Sequence, residues 1–531
     1  MRFKLFSLYI ISAYLFFTPL AAADWFAYAA DKSNFQVITF DVTTETAGLP
    51  ISGGRSEALA ITPDAATLYV INQNVVSTVT VVNLATQTVI NTISLNEGGV
   101  LQTPFSIAIT PDGTTAYITA VDDSSVYTIL KLDLASSTYT VIPISTNIQS
   151  NSVAISPDGS TIYLTQTSSI LSMTTAGNVF GLPINVPGRS TRIALAPSGQ
   201  LAYVTDMINN KVYEINLLTQ TVSQTIPITP NAQPTNIAVS ANGLWAYIAN
   251  ENVNYGTALN LSSYATVDIP FDTVPGNYTQ QGVAISPDSQ KAVFTHANSN
   301  TFTTVAVGTT NITQTSVTGF QAFVAITPDQ APIASFVAAP AQALSPTTFI
   351  STSTTNVGTI ASYVWDFGDG TIITTTSNPV QHTYLGGGSY TVTLTVTNSG
   401  GTSTTQTFTG QSVSNNGGPS ATVTQNIQIP DAPVSPIPLP PGLFLGNVIK
   451  NKFLNRTKYV LEVTWNPSPS GDVLFYQITL NGQIVAVIPS SSPLVYEILL
   501  RSKKDASHYK IFAINAANLV STPVSIRIIN E

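Results

Sequence analysis

The chain has 531 residues, no cysteine, only 8% charged residues and a formal net charge of −9 at pH 7. Without cysteine it can form neither disulfides nor thiolate metal sites, so its stability must come from buried apolar area divided over several cores. The acidic balance also excludes nucleic acid as the main partner, because phosphate binding requires clustered Lys and Arg.

The N-terminus has the layout of a signal peptide. Arg2 and Lys4 precede an apolar run at 5–20, and three alanines that end at Ala23 follow it. We predict cleavage after this residue, so that 1–23 is removed and the mature chain is exported through Sec to the periplasm, the cell surface or the extracellular space. The apolar run has 16 residues, fewer than the ~20 that a membrane-spanning helix needs. No long apolar run follows, so we expect no membrane span after cleavage.

Residues 24–330 contain seven copies of one motif, an apolar strand followed by a Pro-Asp-Gly-like turn. Equivalent positions are 48, 46, 40, 44, 46 and 41 residues apart, which is the spacing of four-stranded propeller blades. In the turn, Pro presets φ, Asp or Asn tolerates the next corner, and Gly or a small residue closes it. The first alanines of the copies are Ala60, Ala108, Ala154, Ala194, Ala238, Ala284 and Ala325.

A second strand follows most of these turns, and its sequence carries a resemblance to a known family. The six examples are Leu68–Ile71, Ala116–Thr119, Ile162–Thr165, Ala202–Thr205, Ala246–Ala249 and Ala292–Thr295. They resemble the Tyr-Val-Thr-Asn repeats of the YVTN family of β-propellers found in prokaryotic surface-layer proteins. The resemblance implies a seven-bladed β-propeller over 24–330, and it says much less about the ligand.

The last blade is expected to combine strands from both ends of this segment. The seventh copy ends at Asp329 with only its innermost strand, whereas Trp25–Ala29 reads as a second strand that lacks its first. We therefore predict that a strand at Ala322–Ile326 pairs with three strands from 25–51. Such closure of the ring would remove free sheet edges that invite aggregation.

The next segment, 332–413, contains the string Tyr-Val-Trp-Asp-Phe-Gly-Asp-Gly at 363–370, His-Thr-Tyr at 382–384 and an alternating strand at 390–397. These features resemble a PKD domain, which is an Ig-like β-sandwich. The alternation predicts that Trp365 and its second neighbour Phe367 point into one core.

Two carboxylates in this string, Asp366 and Asp369, suggest a calcium site at first sight. We interpret them as turn residues, because calcium requires six to eight oxygen ligands and two carboxylates fall short of that number.

A proline-rich stretch, 414–441, is predicted to be an extended, semi-rigid linker. The final segment, 442–531, contains Leu-Glu-Val-Thr-Trp-Asn-Pro ending at Pro467, and Tyr-Lys-Ile-Phe-Ala-Ile-Asn starting at Tyr509. These strings resemble a fibronectin type III domain, with Trp465 and Tyr509 as core residues. The predicted fold class is therefore all-β, a closed seven-bladed propeller followed by two Ig-like β-sandwiches.

Charge is distributed unevenly between these segments. Residues 24–449 hold 7 Lys/Arg against 22 Asp/Glu, a net of −15, whereas residues 450–531 hold 9 against 5, a net of +4. Two interpretations remain open: drift in a surface that tolerates it, or a C-terminal module that faces an anionic envelope or cell wall.

Catalytic residues are scarce. The three histidines, His296, His382 and His508, fall in three different domains, so they cannot assemble a metal cage or a Ser-His-Asp site. Nucleophile elbows, phosphate-binding loops and dinucleotide fingerprints are absent from the sequence. We predict no catalytic residues, no metal site and no cofactor, and we interpret His382 and His508 as structural.

The best candidate site is a ring of polar residues that end or follow the second strands. In a propeller these strand ends open onto the face opposite the Pro-Asp-Gly turns, and the ring is predicted to bind a cation, an amine-bearing molecule or a basic peptide. The alternative is that these residues are solvated loop residues without a ligand. The ring consists of Asp31, Asn72, Asp122, Asp206, Asn250 and His296, with Asp123 and Glu251 beside them.

These observations predict an exported binding or adhesion protein whose propeller face recognises a protein or carbohydrate surface ligand. PKD and fibronectin modules usually serve exported proteins as spacers or adhesive units, and we expect the same role here. The alternative is a hydrolase of the lactonase type, because lactonases share the seven-bladed scaffold and a fold does not dictate function.

Overall fold

The structure is a computed structural model that describes residues 25–144, 149–271, 280–297, 300–317, 319, 321–409, 412–431, 437–453 and 456–530. The predicted signal peptide, 1–23, lies outside the described residues. The chain forms two compact units, Met1–Pro430 and Asp431–Glu531. Within the described ranges the regular structure is all β-strand except for two short 3₁₀ helices. None of the helices in this part of the chain has the length and apolar character needed to cross a bilayer.

The first unit begins with four short strands of one sheet. They are β1 (Phe26–Asp31), β2 (Gln36–Asp41), β3 (Thr46–Ala47) and β4 (Ile51–Ser52).

Six further antiparallel sheets follow along the chain, each made of consecutive strands. Their strands are β5 (Ser56–Ile61), β6 (Thr67–Asn72), β7 (Thr78–Asn83) and β8 (Thr88–Ser94); β9 (Asn96–Glu97), β10 (Val100–Ile109), β11 (Thr115–Asp122), β12 (Tyr127–Asp133) and β13 (Thr138–Pro143); β14 (Val153–Ile155), β15 (Thr161–Gln166), β16 (Ser169–Thr174) and β17 (Ile184–Asn185); β18 (Ser190–Leu195), β19 (Leu201–Asp206), β20 (Lys211–Asn216) and β21 (Thr221–Pro227); β22 (Pro234–Val239), β23 (Trp245–Asn250), β24 (Tyr255–Asn260) and β25 (Thr266–Pro270); and β26 (Gln280–Ile285), β27 (Lys291–His296), β28 (Thr301–Ala306) and β29 (Ile312–Ser316).

The strand β30 (Gln321–Ile326) pairs antiparallel with β1, so one sheet combines segments from both ends of this region. The backbone N–H of Phe26 donates to Thr327 Oγ1 over 3.0 Å, although the two residues are 301 positions apart. Each of these sheets keeps two edges, and none of them closes on itself in the described ranges. The first strands of successive sheets contact one another in the order β5, β10, β14, β18, β22, β26 and β30, and β30 also contacts β5.

Apolar cores lie between neighbouring sheets. Ile155 and Leu164 of one sheet pack with Ile193 and Tyr213 of the next, and all four are buried. The sheet that joins both ends packs in the same way, since the ring of Phe40 stacks on that of Phe302 with centroids 4.8 Å apart. Burying one such side chain stabilises the fold by about 2–3 kcal/mol.

The repeated turn uses its polar residues internally. In the first copy, Thr62 Oγ1 donates to Asp64 at 2.6 Å, and Ala65 has a φ of 56°. Gly113 takes the equivalent position in the second copy with a φ of 70°. A small residue closes this turn because larger side chains tolerate a positive φ poorly.

The seventh turn differs, because its carboxylate contacts the following sandwich. Asp329 accepts hydrogen bonds from Asn398 Nδ2 at 3.0 Å and from Thr402 Oγ1 at 2.6 Å. Its side chain is buried, and burial raises its pKa while these hydrogen bonds oppose the rise.

The sandwich has two main sheets, β32-β33-β36 and β35-β34-β37-β40, and a small sheet, β31-β39-β38. Its elements are β31 (Asp329–Gln330), β32 (Phe336–Ala339), β33 (Pro346–Ser351), β34 (Ile360–Asp366), β35 (Ile372–Thr375), β36 (Val380–Thr383), β37 (Gly388–Asn398), β38 (Thr407–Thr409), β39 (Ser412–Asn416), the 3₁₀ helix η1 (Pro419–Ala421) and β40 (Thr422–Ile429).

The core prediction for this sandwich is confirmed. Trp365 and Phe367 are each 1% exposed, and their rings stack with centroids 6.2 Å apart. Asp366 Oδ1 accepts the N–H of Gly368 at 2.9 Å and Asp369 Oδ1 accepts the N–H of Thr371 at 3.0 Å, so both carboxylates bond within the turn. Asp369 Oδ2 also lies 2.7 Å from His382 Nε2. The described residues contain no group of His, Cys, Asp and Glu that could hold a metal ion.

The predicted linker, 414–441, contains a strand of this sandwich and needs correction. β40 pairs with β37 along its whole length, from Thr422 opposite Thr395 to Ile429 opposite Gly388. Proline richness marks only the part after Pro430, because the preceding strand has few prolines and enough β-branched residues to extend the sheet.

The second unit is also a two-sheet sandwich, with orders β45-β42-β41-β48 and β44-β43-β46-β47. Trp465 and Tyr509 are 4% and 3% exposed and belong to its core, as predicted. Its elements are β41 (Phe444–Phe453), β42 (Arg456–Trp465), β43 (Val473–Leu480), β44 (Gln483–Pro489), β45 (Val495–Leu500), the 3₁₀ helix η2 (Lys503–His508), β46 (Tyr509–Asn515), β47 (Val524–Ser525) and β48 (Arg527–Asn530).

Candidate ligand-binding site

The predicted ring is mostly buried, and this corrects the sequence interpretation. Asp123 is exposed, while Asp122 and Glu251 are half-buried. The remaining five residues have 0% relative exposure and present no surface to a ligand: Asp31, Asn72, Asp206, Asn250 and His296.

The buried carboxylates organise the turn that follows their strand. Asp206 Oδ1 accepts the backbone N–H groups of Ile208 and Asn209 at 3.1 Å each, and its Oδ2 accepts Tyr213 Oη–H at 3.2 Å. Asp31 Oδ1 likewise accepts the N–H groups of Ser33 and Asn34, at 2.9 and 3.1 Å. Donors inside the protein therefore satisfy these charges, as burial of a carboxylate requires.

In two of the sheets, a glycine in the loop that precedes the first strand of the sheet helps to bury the carboxylate. A Cβ atom on Gly188 would stand 1.8 Å from Asp206 Oδ2, and one on Gly319 would stand 1.9 Å from Asp31 Oδ2. The backbone thus approaches the carboxylates at a distance that only glycine allows. This is the physical reason that these ring residues do not face solvent.

The neutral members of the ring are also hydrogen-bonded within their own sheets. Asn72 Nδ2 donates to Thr80 Oγ1 at 2.9 Å, and Asn250 Nδ2 donates to Thr257 Oγ1 at 3.0 Å. Asp122, which is half-buried, accepts the N–H of Val126 at 2.7 Å. The shared role of these positions is to fix the connection between the second and third strands.

His296 is a neutral, buried residue. Its Nε2 lies 2.8 Å from Thr303 Oγ1, and its ring stands edge-on to Phe271 with centroids 5.0 Å apart. Among the described residues Nδ1 has no hydrogen-bond partner. Burial lowers the pKa of His296 to about 4, so the imidazole carries no charge at neutral pH and cannot act there as a cationic ligand group.

A cavity of about 240 Å³ lies next to the predicted ring, at the N-terminal ends of the first strands of the sheets. Only Glu251 of the eight predicted residues lines it. The lining residues are Glu57, Phe105, Asn151, Thr191, Arg192, Met207, Thr235, Glu251 and Phe323.

β-bulges direct several of these side chains into the cavity. The register between first and second strands shifts between Ser56 and Ala58, and between Pro104 and Ser106, which leaves Glu57 and Phe105 as the extra residues. A shift also occurs in three further sheets that begin with β18, β22 and β26, and in the pairing of β1 with β30. A bulge re-aims a side chain away from the regular alternation of a strand.

Most of the cavity residues come from one or two adjacent positions of the repeat. Five of them stand three residues before the first alanine of their copy, and their chemistry differs from copy to copy: Glu57, Phe105, Asn151, Thr191 and Thr235. This shared position is visible in the sequence alone. The prediction, which placed the site at the ends of the second strands, did not make use of it. Arg192 and Phe323 stand one residue later in their copies.

Arg192 is the cation of the cavity. Its guanidinium lies over the ring of Phe323, with Cζ 4.5 Å from the centroid, and its Nη1 donates to the carbonyl oxygen of Asn151. Burial lowers its pKa to about 10, and the neighbouring Glu57 opposes this shift. The guanidinium therefore remains charged at neutral pH and is held by one ring and one neutral acceptor.

The two carboxylates of the cavity differ in their surroundings. Glu57 Oε2 lies 2.8 Å from Lys32 Nζ, in an ion pair whose side chains are 16% and 23% exposed. Glu251 is half-buried and directly follows β23. The cavity thus combines a guanidinium, two carboxylates, two hydroxyls and the apolar groups of Phe105, Met207 and Phe323, which suits a small polar ligand with an apolar part.

Comparison with known families identifies one segment. The sequence pattern of the PKD domain matches residues 329–411, so the resemblance predicted for 332–413 is confirmed for most of its length. A search among curated proteins found no matching relative.

Solved structures similar to this chain include β-propellers. A functionally unknown protein from Desulfotomaculum acetoxidans is 18% identical, with a TM-score of 0.47, and the match covers 57% of this chain and 99% of the other. The periplasmic gluconolactonase of Pseudomonas aeruginosa is 16% identical, with a TM-score of 0.48 and coverage of 57% and 99%. A β-propeller domain from Myceliophteria thermophila is 12% identical, with a TM-score of 0.44 and coverage of 51% and 90%.

Proposed function

We propose that this chain is an exported binding protein that holds a small polar ligand, or a polar group on a surface protein or carbohydrate, in the cavity at the start of the first strands. The observation that carries the proposal is the convergence of chemically different side chains from one repeat position on a single cavity. A repeat that only builds a scaffold does not require different side chains at this position, whereas recognition of an asymmetric ligand requires them.

The proposal includes a closed, seven-bladed propeller of the YVTN type as the scaffold. Two observations support it: β30 pairs with β1, and the first strands contact one another in cyclic order from β5 to β30 and back. The two sandwiches, a PKD domain and a fibronectin type III-like domain, would serve as spacer or attachment modules.

Closure can be tested by deleting 24–41, which removes β1 and β2. Because β30 would lose the strand with which it pairs, and Phe302 and its neighbours would become exposed to solvent, we expect aggregation or loss of cooperative unfolding. A soluble variant with an unchanged melting temperature would contradict closure.

Binding is favoured over hydrolysis because of the groups that the cavity lacks. His296, the histidine of this segment, is buried away from the cavity and neutral. A lactonase-like hydrolase would need a general base within reach of its substrate, and only Glu57 and Glu251 remain for that role. Glu57 is held in an ion pair with Lys32.

The experiment is a binding screen of the full chain on glycan and peptide arrays, followed by calorimetry on each hit. Arg192→Gln should weaken binding at least tenfold, because a charge-assisted hydrogen bond from a guanidinium contributes about 1.5–3 kcal/mol. Arg189→Gln is the matched control, since Arg189 is exposed, three residues away and not part of the cavity lining.

Equal binding by both variants would contradict the proposed site. Sustained turnover of a lactone by the wild-type chain, abolished by Arg192→Gln, would replace the binding proposal with the hydrolase alternative.

A further inference from the structure

Six cationic side chains gather at one end of the second unit, and we call this group the basic end. Lys458 in β42 opposes Asn451 in β41, between Lys450 and Lys452. Tyr459 opposes Leu500 in β45, which brings Lys458 level with Arg501. The helix η2, which starts at Lys503, contacts both β41 and β45. The basic end consists of Lys450, Lys452, Lys458, Arg501, Lys503 and Lys504, all of them exposed.

In the described part of the chain these six cations form no ion pair, and the one carboxylate among them in η2 is Asp505. The Lys–carboxylate ion pairs found there, Lys32–Glu57 and Lys291–Glu45, both lie in the first unit. Asp505, the acidic residue within η2, is engaged by the backbone N–H of Ser502 at 3.0 Å in a capping box. The basic end therefore keeps its net positive charge.

The nearest carboxylates on the neighbouring strands are too far away to neutralise it. Glu462 and Glu497 oppose each other, and each is four residues along its strand from Lys458 or Arg501, a distance of roughly 13 Å at the rise of a β-strand. Charges separated by more than about 8 Å are largely screened at physiological ionic strength. Meanwhile cations two residues apart on one strand repel each other.

The cations lie on both sides of the sheet. Tyr459 and Leu461 belong to the core of the sandwich, so Lys458 points to the outer face. Lys450 opposes Tyr459 and stands on the inner side, beyond the end of the core. A flexible polymer can contact both sides of this end, whereas a flat membrane meets fewer of its charges at once.

We infer that the basic end binds an anionic polysaccharide, which anchors the protein to a carboxylate-bearing or phosphate-bearing wall polymer. Five of the six cations are lysines, which act as point charges without a fixed geometry and suit a polymer with repeated anionic groups. The acidic first unit is repelled by the same polymer, so it does not contribute to the anchor.

The test measures binding of the full chain to polygalacturonate and to the same polymer with its carboxylates methyl-esterified. We expect binding to the acidic polymer only, with an affinity that falls as salt rises, because counterions are released on binding. The variant Lys450→Gln/Lys458→Gln/Lys504→Gln should weaken binding at least tenfold and make the salt dependence shallower. The matched control, Arg55→Gln/Arg189→Gln/Lys211→Gln, removes the same charge from the first unit and should bind at least as well as the wild type.

Three outcomes would overturn the inference. They are equal loss of binding in both triple variants, equal binding to the esterified polymer, and binding confined to phosphatidylglycerol vesicles or to an oligo-dT strand. Melting temperatures of both variants provide the folding control, and their substituted side chains make no ion pair in the structure.

Discussion

The ends of the second strands and the starts of the first strands are paired neighbours, yet they serve different purposes. Ser190 opposes Asp206, and Pro234 opposes Asn250. In most copies the second strand ends in a short polar side chain that is hydrogen-bonded to the following turn or to the third strand. The first-strand starts differ from copy to copy and line the cavity. Within this repeat, constancy marks a structural need and variation marks the surface available to a ligand.

Replacing Asp206 by Ala should produce the largest effect and would test the structural side of this contrast. The substitution removes the acceptor of the Ile208 and Asn209 N–H groups and of Asn209 Nδ2, while Tyr213 Oη keeps its hydrogen bond to the Pro187 carbonyl oxygen at 2.7 Å. We expect a loss of about 4 kcal/mol in the free energy of unfolding, because the turn loses three hydrogen bonds to a charged group and each contributes about 1.5–3 kcal/mol. Thermal unfolding followed by circular dichroism measures it.

The comparison variant is Glu251→Ala, which removes a carboxylate from the cavity lining. Because Glu251 is half-buried and no turn depends on its side chain, stability should change by less than about 0.5 kcal/mol. Similar melting temperatures for the two variants would erase the distinction between the buried second-strand ends and the residues that line the cavity.

The pH dependence of stability tests His296 with a smaller expected effect. The pKa of His296 in the folded protein, about 4, lies below the ordinary histidine value of 6.5, so between these values the unfolded chain binds more protons than the folded one. Stability should therefore rise as pH increases from about 4 to 6.5 and be lost as pH falls through that window, by up to about 3 kcal/mol.

His296→Gln should flatten this pH profile, as measured by urea unfolding at pH 4.5 and 7. His508→Gln is the control, because His508 is exposed and its replacement should leave the profile unchanged. A profile that stays steep in His296→Gln would mean that another group titrates in this window.

Much of the fold was predictable because its signals are local. The Pro-Asp turns recur at blade spacing, and the hydroxyl before them bonds the carboxylate two residues later, as Thr62 does with Asp64. Alternation around Trp365, and the resemblance to a fibronectin type III domain around Trp465, predicted two sandwich core residues that are buried as expected. The extent of the linker was misjudged because β40 pairs with β37 although β38, β39 and η1 lie between them in sequence.

The candidate site was less predictable, because polarity at a strand end does not reveal exposure. Asp206 and Asp31 read as surface residues, but a glycine loop covers each of them. The bulges that turn Glu57 and Phe105 into the cavity break the alternation on which the interpretation of strands relies. Aligning the copies and looking for the position that varies would have pointed to this site.

By itself, the sequence determined the repeating unit, its turns, the two sandwich cores and the contrast of charge between the two ends of the chain, since these follow from residue spacing and composition. The tertiary structure alone decided which polar groups are buried and which face a cavity, because those outcomes depend on backbone approaches, bulges and pairings between distant strands. Burial is a property of neighbours, and in this protein the decisive neighbours of Asp206, Arg192 and Asp329 come from other strands, sheets and domains.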